Sequence, residues 1–500
     1  MIKFLNMNFR IKQIIHLLII SICLLCCPQC KKFVDVASPA TSVTNQNAYA
    51  SSATAIAVLN SIYSKISSEA PNTIAFSHIS SWVAGAYADD FMMWNTVTNV
   101  RQLAYYRNNL SAIQSTGYEV WRSAYSYIYT CNAAIEGLTK TKSLPIAVRD
   151  QLLGEAKLMR GLFYFYLINL YGDVPLVLST SYDLSQTLSR ASVEVIYGQI
   201  VKDVTEAELI LHEDYLDGTL GGVTTERVRP TKAVARALLA RVYLYNQKWD
   251  KAEEYASLVI ADNKRFSLQS LNRVFLKNNP EAIWQLQPTS LNYNTQDGRL
   301  FTLPSSGPNR TNAFYLSDDL LKGFEPGDLR RQKWIDSVSV QSKIYHYPGK
   351  YKIGLQDNSV NSISSLKEYL VIFRLGEQYL IRAEARARLN NIPGAAQDLN
   401  ELRKRARAQT TPDLPNPLPD LDQSISSAVF MEKLIRERRV ELFSEWGHRW
   451  FDIKRLGLAD SIMPEVAKRK GGEWKTYKTL FPIPQDEILK NGKLTQNTGY

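Results

Sequence analysis

Histidine is scarce in this chain of 500 residues, and its spacing does not suit a metal site. The five histidines are His16, His78, His212, His346 and His448. Zinc sites use histidine and cysteine ligands at short spacings, and no two of these positions are that close. The chain also lacks a Gly-x-Ser-x-Gly elbow and a phosphate-binding loop. These absences lower the odds of an enzyme, and we expect neither a metal nor a cofactor.

Cysteine is nearly absent beyond the first 30 residues. Four of the five cysteines lie at positions 23, 26, 27 and 30, and the fifth is Cys131. Residues 14–25 form an apolar run after a basic start at Lys3, Arg10 and Lys12. The run is shorter than the ~20 residues that a membrane-spanning helix needs, so it predicts a secretory signal peptide at residues 1–29.

A cysteine directly after such a run can become the lipidated first residue of a bacterial lipoprotein. Both Cys27 and Cys30 stand in that position, and the residues before Cys27 look more like a lipobox. An uncleaved anchor and a metal-binding cysteine cluster are the alternatives. The cluster lacks nearby histidines, which disfavours a metal.

The chain has no concentrated basic stripe. Its 59 lysines and arginines stand mostly among 48 acidic residues, which gives a formal charge of +11. A nucleic-acid-binding surface usually shows clustered basic residues, so we expect no nucleic-acid partner.

Helical periodicity comes in pairs and predicts a mainly α fold. The patterns cover residues 117–138 with 152–171, 193–211 with 230–246, and 375–406 with a turn at Asn390 and Asn391. A further helix is expected to start at Asp250, with Glu253 completing a capping box. Small residues and aromatics in these pairs resemble tetratricopeptide hairpins, which would form a scaffold.

Between residues 266 and 368 the periodicity fails, and the segment is rich in Asn, Ser, Gly, Pro and Tyr. A stretch this long without regular helices is commonly functional. We therefore divide the mature chain into a helical region, residues 30–265, and a region of residues 266–500 with a loop-rich binding segment and a final helical hairpin.

Two acidic motifs could carry chemistry. Glu437 and Glu441 share a helix face among arginines, which lower carboxyl pKa values, so they predict a structural ion network rather than a general acid. Asp89 lies close to Trp94 and Asn95 in sequence. A carboxylate, an indole and an amide could hold a sugar, and the alternative is a surface turn anchored by a core tryptophan.

Several blocks, in order, resemble the SusD/RagB family of outer-membrane nutrient-binding lipoproteins. They are CKKFVDV at residues 30–36, EAKLMR at 155–160, YGDVPL at 171–176, LNELR at 399–403, ERRVEL at 437–442, RWFD at 449–452 and FPIPQ at 481–485. The first block favours Cys30 as the lipid attachment site.

The resemblance implies a scaffold of tetratricopeptide-like hairpins, with irregular loops and short strands building a binding face. It also implies a lipid anchor at the outer-membrane surface and a SusC-like TonB-dependent transporter as partner. Ligands in the family are commonly glycans, and some members take peptides. The implied protein is a binding protein and not an enzyme. A helical glycoside hydrolase and a ligand-free adaptor are less favoured alternatives.

Ligand-binding residues are nominated by chemistry, guided by the family's use of aromatic platforms. Four come from the first loop region and four from the irregular central region: Trp82, Asp89, Trp94, Asn95, Tyr293, Asn294, Arg310 and Asn312.

Overall fold

Helices in antiparallel pairs supply most of the regular structure. The computed structural model describes residues 48–68, 74–289, 294–354, 362 and 365–500. The predicted signal peptide, the lipid attachment site Cys30 and the nominated Tyr293 lie outside the described residues. The helices are α1 (Ser52–Ser68), α2 (Val100–Tyr106), α3 (Glu119–Lys140), α4 (Ile146–Tyr171), α5 (Tyr182–Ser185), α6 (Val193–Ile210), α7 (Lys232–Tyr245), α8 (Trp249–Ile260), α9 (Gln296–Phe301), α10 (Asp318–Leu321), α11 (Arg330–Lys333), α12 (Leu375–Arg388), α13 (Ile392–Ala406), α14 (Ser427–Leu442), α15 (His448–Arg455), α16 (Ala459–Arg469) and α17 (Gln485–Lys490).

The strands are short and pair two by two. They are β1 (Phe91–Met93), β2 (Val174–Pro175), β3 (Arg190–Ala191), β4 (Ala282–Leu286), β5 (Phe314–Leu316), β6 (Ile335–Val340), β7 (Lys343–Pro348) and β8 (Leu370–Arg374). The antiparallel pairs are β1 with β5, β2 with β3, β4 with β8, and β6 with β7. The predicted mainly α fold with short strands is confirmed.

Helix α4 is the buried centre of the first half of the fold. Its second half is apolar nearly all round, and residues 158–171 are all buried. Helices α3 and α6 both pack against it. Gly161 permits the close approach of α6, because an added Cβ would lie 2.7 Å from Val204 Cγ2. The sequence pattern predicted α3 to within two residues at each end and the end of α4 at Tyr171, but α4 begins six residues before the predicted start.

Two helical hairpins form the predicted tetratricopeptide-like scaffold. Helices α7 and α8 make one, and α12 and α13 make the other, with α8 packed against α12. The second turn has Asn390 in a left-handed conformation at φ 64°, and the side chain of Asn391 accepts a hydrogen bond from Gly394 N at 3.0 Å. The small residues of this first hairpin include Ala233, Ala237, Ala240, Ala252 and Ala256, which are all buried, as close helix packing requires.

The predicted capping box at Asp250 and Glu253 is wrong. Helix α8 begins one residue earlier, at Trp249, and its N-cap residue Lys248 makes no side-chain cap. Glu253 instead accepts a hydrogen bond from Arg386 Nε at 2.8 Å. This carboxylate therefore joins the two hairpins rather than closing the first turn of its own helix.

The irregular segment between residues 266 and 368 has the short strands expected of it. Its most regular part is the β6–β7 hairpin, whose loop residues Gln341 and Ser342 have φ values of 49° and 65°. Two successive left-handed residues make a two-residue loop of the kind that matches strand twist. The hairpin places β7 against β5.

Residues 48–500 form one compact unit. The largest hydrophobic cluster contains residues from Ile62 to Ile483, so both predicted regions contribute to one core. The boundary between residues 265 and 266 stays a prediction. Cys131 is a buried free thiol. Across the described part of the chain, no helix combines the length and apolar character that crossing a membrane requires.

Candidate functional site

The β1–β5 strand pair brings together residues from the two nominated regions. Because the strands are antiparallel, the end of β1 lies beside the start of β5. Trp94 and Asn95 follow β1 directly, and Arg310 lies shortly before β5. The backbone N–H of Trp94 donates to Ala313 O at 2.8 Å and extends the ladder by one residue. Segments far apart in sequence thus meet at one edge of the fold.

Aromatic side chains surround Trp94 at this edge. The half-buried indole stands edge-on to Tyr345, with ring centroids 5.8 Å apart, and Tyr345 stands edge-on to Tyr315 at 5.1 Å. Lys343 Nζ lies 4.9 Å from the Tyr345 ring centroid. Asn95 and Arg310 are exposed nearby. We call Trp94, Asn95, Arg310 and Tyr315 the Trp94 face, and Tyr345, only 6% exposed, is a buried support of its rings.

Four of the nominated residues are buried instead, and a ligand at the surface cannot reach them in this structure. Trp82 is only 1% exposed and packs on Phe314 at a centroid distance of 4.3 Å. Asn294 accepts hydrogen bonds from the backbone of residues 367 and 368. Asn312 donates to Arg299 O at 2.6 Å. These three side chains pack against or hydrogen-bond to neighbouring segments. Of the nominated residues that the structure describes, Trp94, Asn95 and Arg310 remain candidates for contact with a ligand.

Asp89, the fourth buried residue, is held by arginines from the C-terminal block. Arg449 Nε donates to Asp89 Oδ1 at 2.7 Å, and Arg439 Nε donates to Asp90 Oδ1 at 2.8 Å. Burial alone would raise the pKa of Asp89, but the guanidinium groups of Arg439 and Arg449 hold its pKa below the ordinary value. Asp89 therefore stays ionised, which does not suit the general acid of a glycoside hydrolase.

These ion pairs also position the binding edge. Asp89 and Asp90 directly precede β1, and Ser317 Oγ, just after β5, donates to Asp89 O at 2.7 Å. The arginines of α14 and α15 thereby fix the start of the strand that presents Trp94. Asp89 is a positioning residue rather than a ligand contact.

The predicted ion network around Glu441 is confirmed. Glu441 is fully buried and pairs with Arg374 at 2.6 Å and Arg330 at 2.8 Å, and Arg405 also contacts it. Burial alone would raise the pKa of Glu441, but the three guanidinium groups hold its pKa well below the ordinary value. We call Glu441 and these three arginines the Glu441 network.

Two adjoining cavities lie beside the Trp94 face. The larger has a volume of about 490 Å³, and its lining includes Asn99 and the first two turns of α3. The smaller has a volume of about 250 Å³ and is lined by Asn99 and Arg310 with residues 97, 98 and 102. Asn99 lines both, and its side chain also caps α2 by accepting from Arg101 N at 3.0 Å. The smaller cavity thus links Arg310 of the Trp94 face to the start of α3.

Cationic and aromatic groups dominate the wall of the larger cavity. Arg101 and Arg122 lie over the Tyr118 ring, at 5.4 and 5.6 Å from its centroid. Next to them, the buried Glu119 accepts from Tyr105 Oη at 2.7 Å and from Gly117 N at 3.1 Å, both at Oε2. Its Oε1 has no hydrogen-bond partner within the described residues. Burial raises the pKa of Glu119.

Sequence reasoning missed the residues that come from ordinary helices and strands. Tyr315 and Tyr345 could have been noted from the alternating pattern of short strands in the irregular segment. Arg101, Tyr118 and Arg122 carry no local signal, because they belong to no recognisable motif and come together only in the folded chain. Among the described residues, no three His, Cys, Asp or Glu side chains are grouped to hold a metal ion.

Two family models match consecutive parts of the chain. The model described as "Starch-binding associating with outer membrane" matches residues 32–244, and the SusD family model matches residues 331–500. SusD-like protein P25 of Formosa agariphila is 24% identical over 438 aligned residues, covering 76% of this chain and 79% of that protein. The starch-binding protein SusD of Bacteroides thetaiotaomicron is 25% identical over 447 aligned residues, covering 73% of this chain and 74% of that protein.

Solved structures agree with this fold. A SusD-like protein from Bacteroides fragilis superposes with a TM-score of 0.72 at 19% identity, covering 91% of this chain and 99% of its own. Surface glycan-binding protein A from Bacteroides fluxus superposes with a TM-score of 0.69 at 20% identity, covering 90% and 100%. At such identities these likenesses concern the fold alone. The family models supply the assignment, and since together they span most of the sequence, the chain belongs to the SusD family of outer-membrane-associated proteins.

Proposed function

We propose that this protein binds oligosaccharides at the cell surface without cleaving them, and delivers them to a SusC-like TonB-dependent transporter in the outer membrane. The observation that supports this most is the convergence of Trp94, Asn95 and Arg310 on one edge, beside further aromatic rings and two cavities. Sugars offer an apolar ring face and a rim of hydroxyl groups, which match an indole and nearby amide and guanidinium groups.

The chemistry of the site suits capture followed by release. A half-buried indole with a few polar groups gives modest affinity, and cargo that is to be passed on must dissociate. Asp89 is tied to two arginines and does not suit the general acid of a hydrolase. Burial raises the pKa of Glu119, but among the described residues that line the two cavities it has no second carboxyl group beside it, which glycoside hydrolysis requires. We therefore assign the protein a binding role and no catalytic one.

The scaffold accounts for a preorganised site. Stacked helical hairpins form a stiff frame. The ion pairs of Arg439 and Arg449 connect that frame to the segment before Trp94. Binding therefore need not order the loop that carries the indole, which lowers its entropic cost.

Attachment to the membrane completes the proposal. We expect residues 1–29 to be removed and Cys30 to carry a lipid, with Cys27 as the alternative. A single acyl chain can bind a membrane marginally, and contact with the transporter would add a second attachment. Labelling cells with a palmitate analogue distinguishes the sites: Cys30→Ser abolishes the label if Cys30 is the attachment site, whereas Cys27→Ser leaves it unchanged.

The binding proposal is tested with a glycan array and calorimetry on purified wild-type protein and Trp94→Ala. Loss of the indole face is expected to weaken binding of any retained oligosaccharide at least about tenfold, which is ~1.4 kcal/mol. Trp249→Ala is the matched control, because Trp249 is also partly buried but stands at the start of α8 in the scaffold hairpin. Equal retention by Trp94→Ala and wild type would reject the Trp94 face.

The same panel separates the alternatives. Oligopeptides included beside the glycans test the peptide-binding alternative, and product analysis after long incubation tests for hydrolysis. Purification from outer membranes with a tag on this chain is expected to recover a large TonB-dependent transporter. Recovery of the transporter with no response to any glycan or peptide would favour a ligand-free adaptor.

A further inference from the structure

We propose that the ligand is anionic: an oligosaccharide carrying carboxylate or sulfate groups, held where the two cavities beside the Trp94 face are lined by Lys65, Arg101, Arg122 and Arg310. This inference rests on the proposed function and specifies the substrate class of the same site. Its basis is a local excess of positive charge that the described residues do not neutralise.

Among the described residues, the lining of the two cavities contains four cations and a single carboxyl group, that of Glu119. Arg101 Nε lies 3.8 Å from Glu119 Oε1, beyond hydrogen-bonding distance. Lys65, Arg122 and Arg310 form no ion pair with any residue that the structure describes. The walls therefore keep a net positive charge with room beside it.

Other arginines in this fold behave differently. Arg330, Arg374 and Arg405 contact two or more carboxylates each, and Arg439 and Arg449 pair with Asp89. Like charges crowded in a concave site repel one another and focus a positive potential there, which attracts anions. Among the described residues, Arg122 and Arg310 thus lack the carboxylate partners that neutralise these others, and Arg101 has only Glu119.

The geometry of the arginines suits acidic groups on a sugar. The guanidinium groups of Arg101 and Arg122 lie 5.4 and 5.6 Å from the centroid of the Tyr118 ring, and these cation–π contacts favour the same side-chain positions before a ligand arrives. A planar guanidinium donates two parallel hydrogen bonds to a carboxylate or sulfate. Holding these groups beforehand reduces the entropy lost when the anion binds.

Polar neutral groups in the same cavities suit sugar hydroxyls. Ser123, Ser126 and Asn99 line the larger cavity. The Oε1 atom of Glu119 is buried and has no hydrogen-bond partner among the described residues. A volume of about 490 Å³ lies in the range of small-ligand sites. The combination matches a hydroxyl-rich chain bearing negative charges.

Calorimetry with matched pairs of oligosaccharides tests the inference. One arm compares tetragalacturonate with its carboxyl-reduced form, and the other compares a sulfated carrageenan tetrasaccharide with its desulfated form. At low ionic strength at least one acidic member is expected to bind at least about tenfold more tightly than its neutral partner. The preference should shrink at 0.5 M NaCl, because salt screens exposed charges.

The double substitution R122Q/R310Q connects the preference to these residues. It is expected to weaken binding of the preferred acidic probe about tenfold and binding of its neutral partner much less, so that the ratio of the two affinities falls. R273Q is the matched control, since Arg273 is exposed and lines neither cavity. The conservative R122K/R310K double variant should restore most of the affinity. This result would show that R122Q/R310Q binds weakly because it lacks positive charge and not because it is misfolded.

The outcomes are distinct. A preference in the first arm assigns carboxylate, and one in the second arm assigns sulfate. Equal affinity within both pairs, lost in Trp94→Ala, would overturn the anionic assignment and leave the proposed glycan binding in place. An acidic preference that R122Q/R310Q does not change would overturn the assignment to these residues. Absence of binding by all four probes and by the wider glycan panel would reject both proposals.

Discussion

The Glu441 network and the cavities beside the Trp94 face use the same residue type in opposite environments. Arg330, Arg374 and Arg405 are buried and packed among carboxylates. Arg122 and Arg310 are exposed, and each lacks a carboxylate partner among the described residues. A buried arginine destabilises the fold unless a carboxylate compensates its charge. An exposed arginine is solvated by water and can pair with an anionic ligand.

This difference separates scaffold from binding surface. Compensated charges resist change, because removal of one partner leaves others buried and uncompensated. Uncompensated charges can be removed at little cost to folding, so their loss should appear in binding. Substitutions in the Glu441 network are therefore expected to change stability, and substitutions at Arg122 or Arg310 are expected to change binding.

Glu441→Ala should have the largest effect on stability. It leaves three buried guanidinium groups with one carboxylate fewer, which is expected to lower the free energy of unfolding by about 3–5 kcal/mol. Urea denaturation measures the loss. Glu401→Ala is the control, because Glu401 forms an exposed pair with Lys404 and its removal should cost about 0.5 kcal/mol or less. Similar losses in both variants would remove the distinction between the two kinds of charge.

Trp82 and Trp94 give the corresponding comparison for aromatic residues. Trp82→Ala is expected to lower the free energy of unfolding by about 3–5 kcal/mol, because it leaves a large cavity against Phe314. Trp94→Ala should cost clearly less, since the ring is half-buried. Thermal unfolding of both variants checks this order. A larger loss in Trp94→Ala would make Trp94 a core residue and weaken the case for the Trp94 face.

Asp297 lies outside both regions and gives the fold a pH dependence of its own. Burial, followed by the nearby charge of Glu445, raises its pKa from 3.8 to about 8. Between these values the native state binds more protons than the unfolded state, so the free energy of unfolding falls as pH rises. Asp297→Asn removes that slope and should stabilise the protein by about 1–3 kcal/mol at pH 8, with little change at pH 4.

Urea midpoints across this pH range test the prediction for Asp297. Asp413→Asn, at an exposed carboxyl, serves as the control and should leave the slope unchanged. If Asp297→Asn and wild type show parallel pH profiles, Asp297 does not remain protonated in the native state at neutral pH.

The smallest expected effect concerns the hairpin that carries Tyr345 to the Trp94 face. Ser342 has a left-handed backbone, φ 65°, which glycine adopts without steric cost. Ser342→Gly should stabilise the fold by about 0.5–1 kcal/mol, measured as a rise in Tm. Ser339→Gly, inside β6, should have the opposite sign. A loss of stability in Ser342→Gly would mean that the hairpin loop differs from the one described.

Local patterns made the scaffold predictable. Periodicity in α4 and the asparagine turn between α12 and α13 depend on neighbours a few residues away, so the sequence shows them directly. The prediction of a capping box at Asp250 is wrong because Glu253 accepts a hydrogen bond from Arg386, which belongs to the other hairpin. The site was predicted only in part for the same reason, since its aromatic rings come from separate segments.

The sequence by itself determined the helical hairpins, the irregular segment between them and the ionic character of the Glu437 and Glu441 motif, since each follows from residue spacing within one segment. Only the tertiary structure decided that Trp82 is buried while Trp94 is partly exposed, and that Arg449 has a carboxylate while Arg122 has none among the described residues. Burial and charge compensation depend on distant partners, Phe314 for one tryptophan and Asp89 for one arginine. The spacing of residues along the chain does not determine which distant residue each of these side chains contacts.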